Sequence, residues 1–427
     1  MKRLMIVLVL LLLVPLMACD QQAAAELLMS DKPRDASPDV SQADLALLTE
    51  GNSAFAFELY QALREQEDNK DNNFFYSPYS ISVALAMTYA GARGNTAEEM
   101  AAILHFMLEQ DRLHPAFNWL DAELASRGEG AQGNDGEGFR LNIVNAIWGQ
   151  KDYSFLSTFL DVLAGNYGAG LRILDFITET EASRLAINQW VSDQTEGRIK
   201  DLIPQGAIDA LTRLVLTNAI YFNAAWEYPF SENVTANGSF YLLDGEQVTV
   251  PMMKQTESFG YAHANGYQAV ELLYDGDELS MVILLPASGN FEAFEEGLQA
   301  QGVSDIISDL QLTEVVLTMP KFKFDSEFSL KDTLERMGMP VAFSGAADFS
   351  GMTGAPDLCI SEVLHKAFVS VDEKGTEAAA ATAVIMRETA MPDQPVEVTI
   401  DRPFIFLIRD IETGAILFVG RVLNPGP

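Results

Sequence analysis

Cysteine and histidine are nearly missing from this chain: its 427 residues include two cysteines and four histidines. Cys19 and Cys359 provide no disulfide framework, so the fold must rest on apolar burial, which a hydrophobic fraction of 48% can supply. Cys359 reads as a buried, inert thiol. His105, His114, His263 and His365 are not spaced with one another as metal ligands, and His365, inside an apolar run, reads as a hydrogen-bonded core histidine. There is no G-x-S-x-G elbow, S-x-x-K, C-x-x-C, H-E-x-x-H or glycine-rich phosphate loop. Nothing therefore points to an enzyme, a metal or a cofactor. Bases are scarce as well: 27 Lys and Arg face 61 Asp and Glu, a net charge of −34. Such a surface repels nucleic-acid backbones and anionic lipid alike.

The N-terminus departs from this solvated character. Lys2 and Arg3 precede an unbroken apolar run from Leu4 to Ala18, short for a membrane span and arranged like a secretory signal. The run ends in LMAC, which resembles the lipobox of bacterial lipoproteins. That resemblance implies a signal peptide over residues 1–18 and a lipidated Cys19 as first mature residue. It also implies a bacterial cell-envelope location facing periplasm or exterior, held at the membrane only through the lipid anchor. Acylation of Cys19 would leave Cys359 without an intramolecular partner. Residues 19–43, rich in Ala, Gln, Asp, Pro and Ser without periodicity, read as a flexible tether of roughly 25 Å reach.

A single folded domain is expected over 44–427. LALLTEGNSAFAFELYQALRE and SISVALAMTYAGARG carry helical periodicity, as do SFLSTFLDVLAGNYG, SRLAINQWVSDQTEG and LKDTLERMG. LNIVNAIWGQ, LTRLVLTNAIYFN, LSMVILLP, EVVLTMPKFKF, HKAFVSVD and FIFLIRD read as strands. The glycine-rich acidic stretch from Arg127 to Gly138 reads as a surface loop. Helices and strands alternate without a regular βαβ rhythm, which indicates an α+β fold with more than one sheet.

Several segments together resemble one family, the serpins. They include NNFFYSPYSISVALAMTYAGARGNTAEEM (72–100), INQWVSDQTEGRIKDLIP (187–204) and LVLTNAIYFNAAWEYPF (214–230). LTMPKFKFDSEFSLKDTLERMGM (317–339), ISEVLHKAFVSVDEKGTEAAAATA (360–383) and DRPFIFLIRDIETGAILFVGRVLNP (401–425) complete the set, in family order over about residues 44–425. The resemblance implies three β-sheets, about eight or nine helices and an exposed reactive-centre loop. It further implies a monomeric suicide inhibitor of serine proteases, with cysteine proteases also open as targets. In that mechanism the loop is cleaved and then inserted as a strand into the main sheet. The alternative is a non-inhibitory serpin serving as a binding or chaperone-like protein.

The resemblance also gives meaning to EKGTEAAAATA. As an isolated segment it suits a short helix, with Ala as helix former. As the family's hinge it comprises Glu373, Gly375, Thr376, Glu377, Ala378, Ala379, Ala380, Ala381 and Thr382. In a strand, Thr376, Ala378, Ala380 and Thr382 share one face and are small and uncharged. Glu377 falls in the opposite phase with Ala379, Ala381 and Ala383. That phasing suits insertion, because an unpaired carboxylate buried under a sheet costs several kcal/mol. Ser77, Ser80, Asn218 and His365 match the family's shutter, and Trp226 matches its breach. Lys321 and Glu373 match a hinge-flanking ion pair. Family spacing, fifteen residues counted inclusively from Gly375, puts the reactive bond at Thr389–Ala390. Arg387, Glu388 and Met391 stay open as alternatives, because the stretch from Ala390 to Asp401 is slightly long. Thr389 suits a small primary pocket of an elastase- or subtilisin-like enzyme, whereas Arg387 would suit a trypsin-like one.

Overall fold

The computed structural model describes residues 25–128, 140–376 and 394–426. Residues 1–18, read as a signal peptide, Cys19, the expected hinge residues Glu377 to Ala383, the positions 387–391 and most of the glycine-rich stretch lie outside the described residues.

The chain opens with an edge strand β1 (Glu26–Leu28) and a long helix α1 (Gln42–Arg64), whose N-cap Ser41 accepts from the Asp44 amide. Strand β2 (Phe74–Tyr76) leads into α2 (Pro78–Tyr89), started by Pro78 in its first turn and capped by the Ser77 side chain. Then come α3 (Gly94–Ile103), α4 (Gln110–Ser126), β3 (Arg140–Gln150) and α5 (Ser157–Tyr167), which Gly168 ends in the left-handed conformation at φ 59°. Strand β4 (Leu171–Leu174), α6 (Thr180–Gln194) and β5 (Leu214–Ala225) follow. The next strands are β6 (Ala236–Tyr241), β7 (Gln247–Ala264), β8 (Tyr267–Leu273) and β9 (Leu279–Pro286). Short helices α7 (Phe291–Glu296) and α8 (Ala300–Ser308) precede β10 (Gln311–Pro320) and β11 (Phe322–Ser329). After α9 (Lys331–Met337) and α10 (Ser350–Thr353) the chain forms β12 (Glu362–Asp372) and the two-residue β13 (Gly375–Thr376). It closes with β14 (Val396–Thr399), β15 (Phe404–Asp410) and β16 (Ile416–Val422).

Ten α-helices are present among the described residues, against the eight or nine expected, because short turns such as α10 count separately. Among the described residues the strands form two hydrogen-bonded sheets, one of seven strands in the order β1-β4-β3-β5-β13-β12-β11 and one of nine. The third sheet expected from the resemblance merges into the second through β7, an 18-residue strand that pairs with β6 and β10 and then with β8. EVVLTMPKFKF is two strands rather than one. Pro320 lacks an amide hydrogen and ends β10 in the nine-stranded sheet, and β11 begins at Phe322 in the other.

Alternation along β5 divides the seven-stranded sheet into two faces. Leu214, Leu216, Ile220, Phe222 and Ala224 join the main core with the wholly buried α2, whereas Val215 and Ala219 belong to a second cluster with Ile187 and Val191 of α6. This sheet thus has an inner face over α2 and an outer face roofed by α6.

Two further differences from the sequence reading concern its polar segments. Residues 26–28, inside the stretch read as tether, pair with β4 as an added edge strand. Arg127, read as the start of a surface loop, is buried and donates from Nε to Asp410 Oδ2 at 2.7 Å. Cys359 is half-buried, with its thiol pKa raised by that burial.

Candidate functional site: the seam between β5 and β12

Two central strands of the seven-stranded sheet, β5 and β12, behave differently along their length. In the lower part they pair directly in parallel, from Glu362↔Val215 to Phe368↔Tyr221. Above that level β13 lies between them, with Gly375↔Ala225 and Thr376↔Ala224 on one side and Asp372↔Gly375 and Val371↔Thr376 on the other. A strand inserted between two partners widens their separation from about 4.8 Å to about twice that, so the sheet is already parted at its upper end.

Small size at Gly375 permits this wedge. A Cβ there would sit 2.1 Å from the Ala224 carbonyl oxygen and 2.7 Å from Ala225 Cα. Thr376 shares the face of Ala224, its direct partner, and is buried, with its hydroxyl 2.8 Å from the Tyr274 hydroxyl. Tyr274 stacks on Trp226 at 4.7 Å between ring centroids. The Trp226 indole donates to the Asp372 carbonyl at 3.0 Å, and its amide donates to the Lys374 carbonyl at 2.8 Å. Glu373 is held from three directions. Lys321 Nζ lies 2.7 Å from Oε2, the Thr235 hydroxyl donates to Oε1 at 2.8 Å, and the Phe230 amide donates to the Glu373 carbonyl at 2.7 Å. Burial pushes the Glu373 pKa up, but Lys321 and Thr235 outweigh it and hold it below its usual value. The neighbouring Asp372 is raised by burial. The structure therefore brings Trp226, Lys321, Glu373, Gly375 and Thr376 together at the upper end of the seam.

Further down, the seam is held by neutral polar groups. Asn145 of β3, Asn218 of β5 and His365 of β12 are register partners across three strands, all facing α2. His365 Nε2 accepts from the Ser77 amide at 3.2 Å, which leaves Nδ1 as the protonated nitrogen, donating to Asn218 Oδ1. Asn218 Nδ2 in turn donates to Ser80 Oγ and Asn145 Oδ1. The Ser80 amide donates to Ser77 Oγ at 3.1 Å. Phe328 of β11 stacks on the imidazole at 6.1 Å. Complete burial pushes the His365 pKa down to about 3, so the ring is neutral across the physiological range and can play both hydrogen-bonding roles.

Three participants were not singled out from the sequence: Asn145, Tyr274 and Thr235. A signal existed for the first. Asn-Ala-Ile occurs at 145–147 and again at 218–220, and the two Asn residues pair with each other. Each is a lone polar side chain on the core-facing phase of an apolar strand.

The serpin family profile, described as "Serpin (serine protease inhibitor)", matches residues 50–425. The chain belongs to the serpin family. A serpin-like protein of Thermococcus kodakarensis is 43% identical over 87% of this chain and 84% of its own length. Human leukocyte elastase inhibitor is 40% identical over 88% of the chain and 99% of its own length. Among solved structures, the thermophilic serpin tengpin in its native state matches with a TM-score of 0.81 and 29% identity, covering 94% of this chain and 99% of its own. Human thyroxine-binding globulin, solved with its ligand, matches at 0.79 and 31%, covering 90% of this serpin and all of that chain. Family members are protease inhibitors in the main, not catalysts, and the fold also serves in binding proteins.

Proposed function

We propose that this serpin inhibits serine proteases irreversibly, by completing the insertion that β13 has begun. The observation that carries the reading is the register of Thr376 against Ala224, with its side chain on the inner face. Continued downward after cleavage, that antiparallel register sets Ala378 opposite Phe222, Ala380 opposite Ile220 and Thr382 opposite Asn218. Small residues thus enter the core, and the second inward threonine arrives at the polar row, able to hydrogen-bond where His365 now pairs. Glu377 falls on the outer face.

In this reading the protease serine Oγ attacks the Thr389 carbonyl carbon. The Thr389–Ala390 bond breaks, the new amine takes a proton, and residues 390–427 become a separate chain that stays in the nine-stranded sheet through β14, β15 and β16 and separates as a peptide only under SDS. The ester to Thr389 is then carried down the sheet before water can reach it. A small side chain at Thr389 favours elastase- or subtilisin-like targets. Human leukocyte elastase inhibitor, a relative over nearly its whole length, supports the same class. The chain works as a monomer without cofactor, and the native state is a kinetic rather than an equilibrium minimum. Lipidation of Cys19 would keep it on the outer side of a bacterial membrane.

Incubating the domain from residue 25 onward with pancreatic elastase, subtilisin and trypsin tests the reading. The expected result is an SDS-resistant complex and a peptide beginning at Ala390. A peptide beginning at Glu388 would move the bond to Arg387. Turnover of the serpin as a plain substrate by all three enzymes would refute inhibition of these classes and leave the non-inhibitory binding role.

A further inference from the structure

The N-terminal stretch is docked, and where it docks fixes which end of the molecule an anchor would hold. Strand β1 pairs with the outer edge of β4, with Glu26 opposite Ile173 and Leu28 opposite Leu171. Across the sheet Ile173 pairs with Gly149, and Gly149 with Leu214, the first residue of β5. Glu26 therefore lies level with the lower end of β5. The hinge lies at Ala224 and Ala225, the opposite end, and eleven strand residues at about 3.3 Å each separate the two levels by about 36 Å.

After β1 the chain climbs the edge of the domain and is fastened repeatedly. Ser30 Oγ donates to Asp161 Oδ1 at 2.5 Å, and Lys32 Nζ pairs with Asp161 at 2.7 Å. Arg34 donates to Asn118 Oδ1 and pairs with Asp121, each at 2.6 Å. The Asp35 amide donates to the Gly165 carbonyl at 2.8 Å, and Asn118 Nδ2 donates to the Asp35 carbonyl at 2.7 Å. Asp121 and Asp161 sit on α4 and α5, so strand, helices and strap form one edge.

Six peptide steps separate Cys19 from Ala25, at most about 20 Å of chain. An undocked tether reaching to α1 would span up to about 80 Å. The lower end also presents exposed apolar side chains: Leu27 on β1 (48% exposed), Ile177 just past β4 (48%) and Leu211 just before β5 (77%).

We propose that residues 25–35 act as a strap that seats the lower pole of the domain on the lipid bilayer carrying the Cys19 acyl chains, with Leu27, Ile177 and Leu211 at the membrane surface and the Gly375–Thr376 hinge at the far end. The proposal rests on the lipidation of Cys19 and is independent of inhibition. An apolar contact suits a chain of net charge −34, which an anionic surface would repel. The arrangement holds the hinge end about 36 Å from the seated pole, clear of the membrane.

The test uses the full chain, processed in a bacterial host and reconstituted in phosphatidylcholine vesicles containing a nitroxide-headgroup lipid. Cys359 is replaced by Ser, and a fluorophore is placed on Leu211→Cys or, at the hinge end, on Val234→Cys, an equally accessible site (54% exposed). Seating predicts at least about threefold stronger quenching at 211 than at 234. Equal or reversed quenching in a chain whose mass shows acylated Cys19 overturns the seating alone. Absence of that acyl mass overturns the lipidation reading and the seating with it. Lys32→Glu with Arg34→Glu should release the strap and abolish the difference while leaving the circular-dichroism spectrum of the domain unchanged. Persistence of the full difference in that variant would overturn the role of the strap.

Discussion

The two halves of one seam are stabilised by opposite chemistry. At the top, where β13 parts β5 from β12, a charged contact opens to water on one side: partly exposed Lys321 pairs with the buried Glu373 beside the stacked Trp226 and Tyr274. Lower down, where β5 and β12 touch, the row of Asn145, Asn218 and His365 with Ser77 and Ser80 is neutral and faces α2, all but the partly buried Asn145 shut off from water. An ion pair suits an entrance, because its hydration costs little to recover as the strands separate. A neutral row suits a passage. Its hydrogen bonds can be exchanged for those of an incoming hydroxyl without stranding a buried charge. Under the proposed mechanism, the difference suits the upper half to gating and the lower half to passage.

Changes that strike the passage should have the largest effects. Thr382→Arg would drive a guanidinium toward Asn218 during insertion, and an unpaired buried charge costs several kcal/mol. The covalent yield against a matched protease should fall more than about tenfold while the rate of loop cleavage is unchanged, as gel densitometry of complex and cleaved species would show. An unchanged ratio would disconnect Thr382 from the seam.

Acid should next weaken the lower half through His365, and the α4–α5 packing through His114, which contacts Tyr167. His365 is held near pKa 3 and His114 near 4, both by burial, against an ordinary value of 6.5. The unfolded chain therefore takes up protons below pH 6.5 that the native state refuses, so stability is present above that pH and is lost as pH falls toward 3. At pH 5 each group contributes a loss of about 2 kcal/mol. Unfolding rates measured between pH 7 and 5 should rise accordingly, and His365→Gln should flatten part of the slope. A rate independent of pH over this window would contradict the neutral assignment.

Removing the imbalance locally gives smaller effects. His365→Ala leaves the Ser77 amide and the Asn218 carbonyl oxygen unpaired, a loss of about 1–3 kcal/mol. Lys321→Ala leaves the buried Glu373 carboxylate with Thr235 as its remaining side-chain partner, so it should cost about 1–3 kcal/mol and loosen only the top. Hydrogen exchange would separate the two, with faster exchange at β13 for Lys321→Ala and at the lower β5–β12 ladder for His365→Ala. Identical exchange maps would erase the distinction between the halves.

Much of this seam was legible in the sequence, and the omissions have physical reasons. Apolar runs, several of them apolar on both faces, exposed β3, β5, β9, β12 and β15, and the order of quoted segments gave the family, hence the place beneath the sheet where Ser77, Ser80, Asn218 and His365 meet. Asn145 and Tyr274 escaped because pairing across strands is a matter of register, which one sequence states only indirectly. Strand β1 escaped because Glu26, Leu27 and Leu28 are too few to show a period, and their partner β4 lies far along the chain. Arg127 was hidden by composition, since the glycine-rich residues that follow it mask a side chain that turns inward to Asp410.

The most direct test of the account is the thermal unfolding of the domain before and after a single cut between Thr389 and Ala390. Insertion through the β5–β12 seam predicts that the cleaved form melts more than about 10 °C above the intact one, a gain of several kcal/mol for a domain of this size. A cleaved form that melts at or below the intact temperature would contradict it.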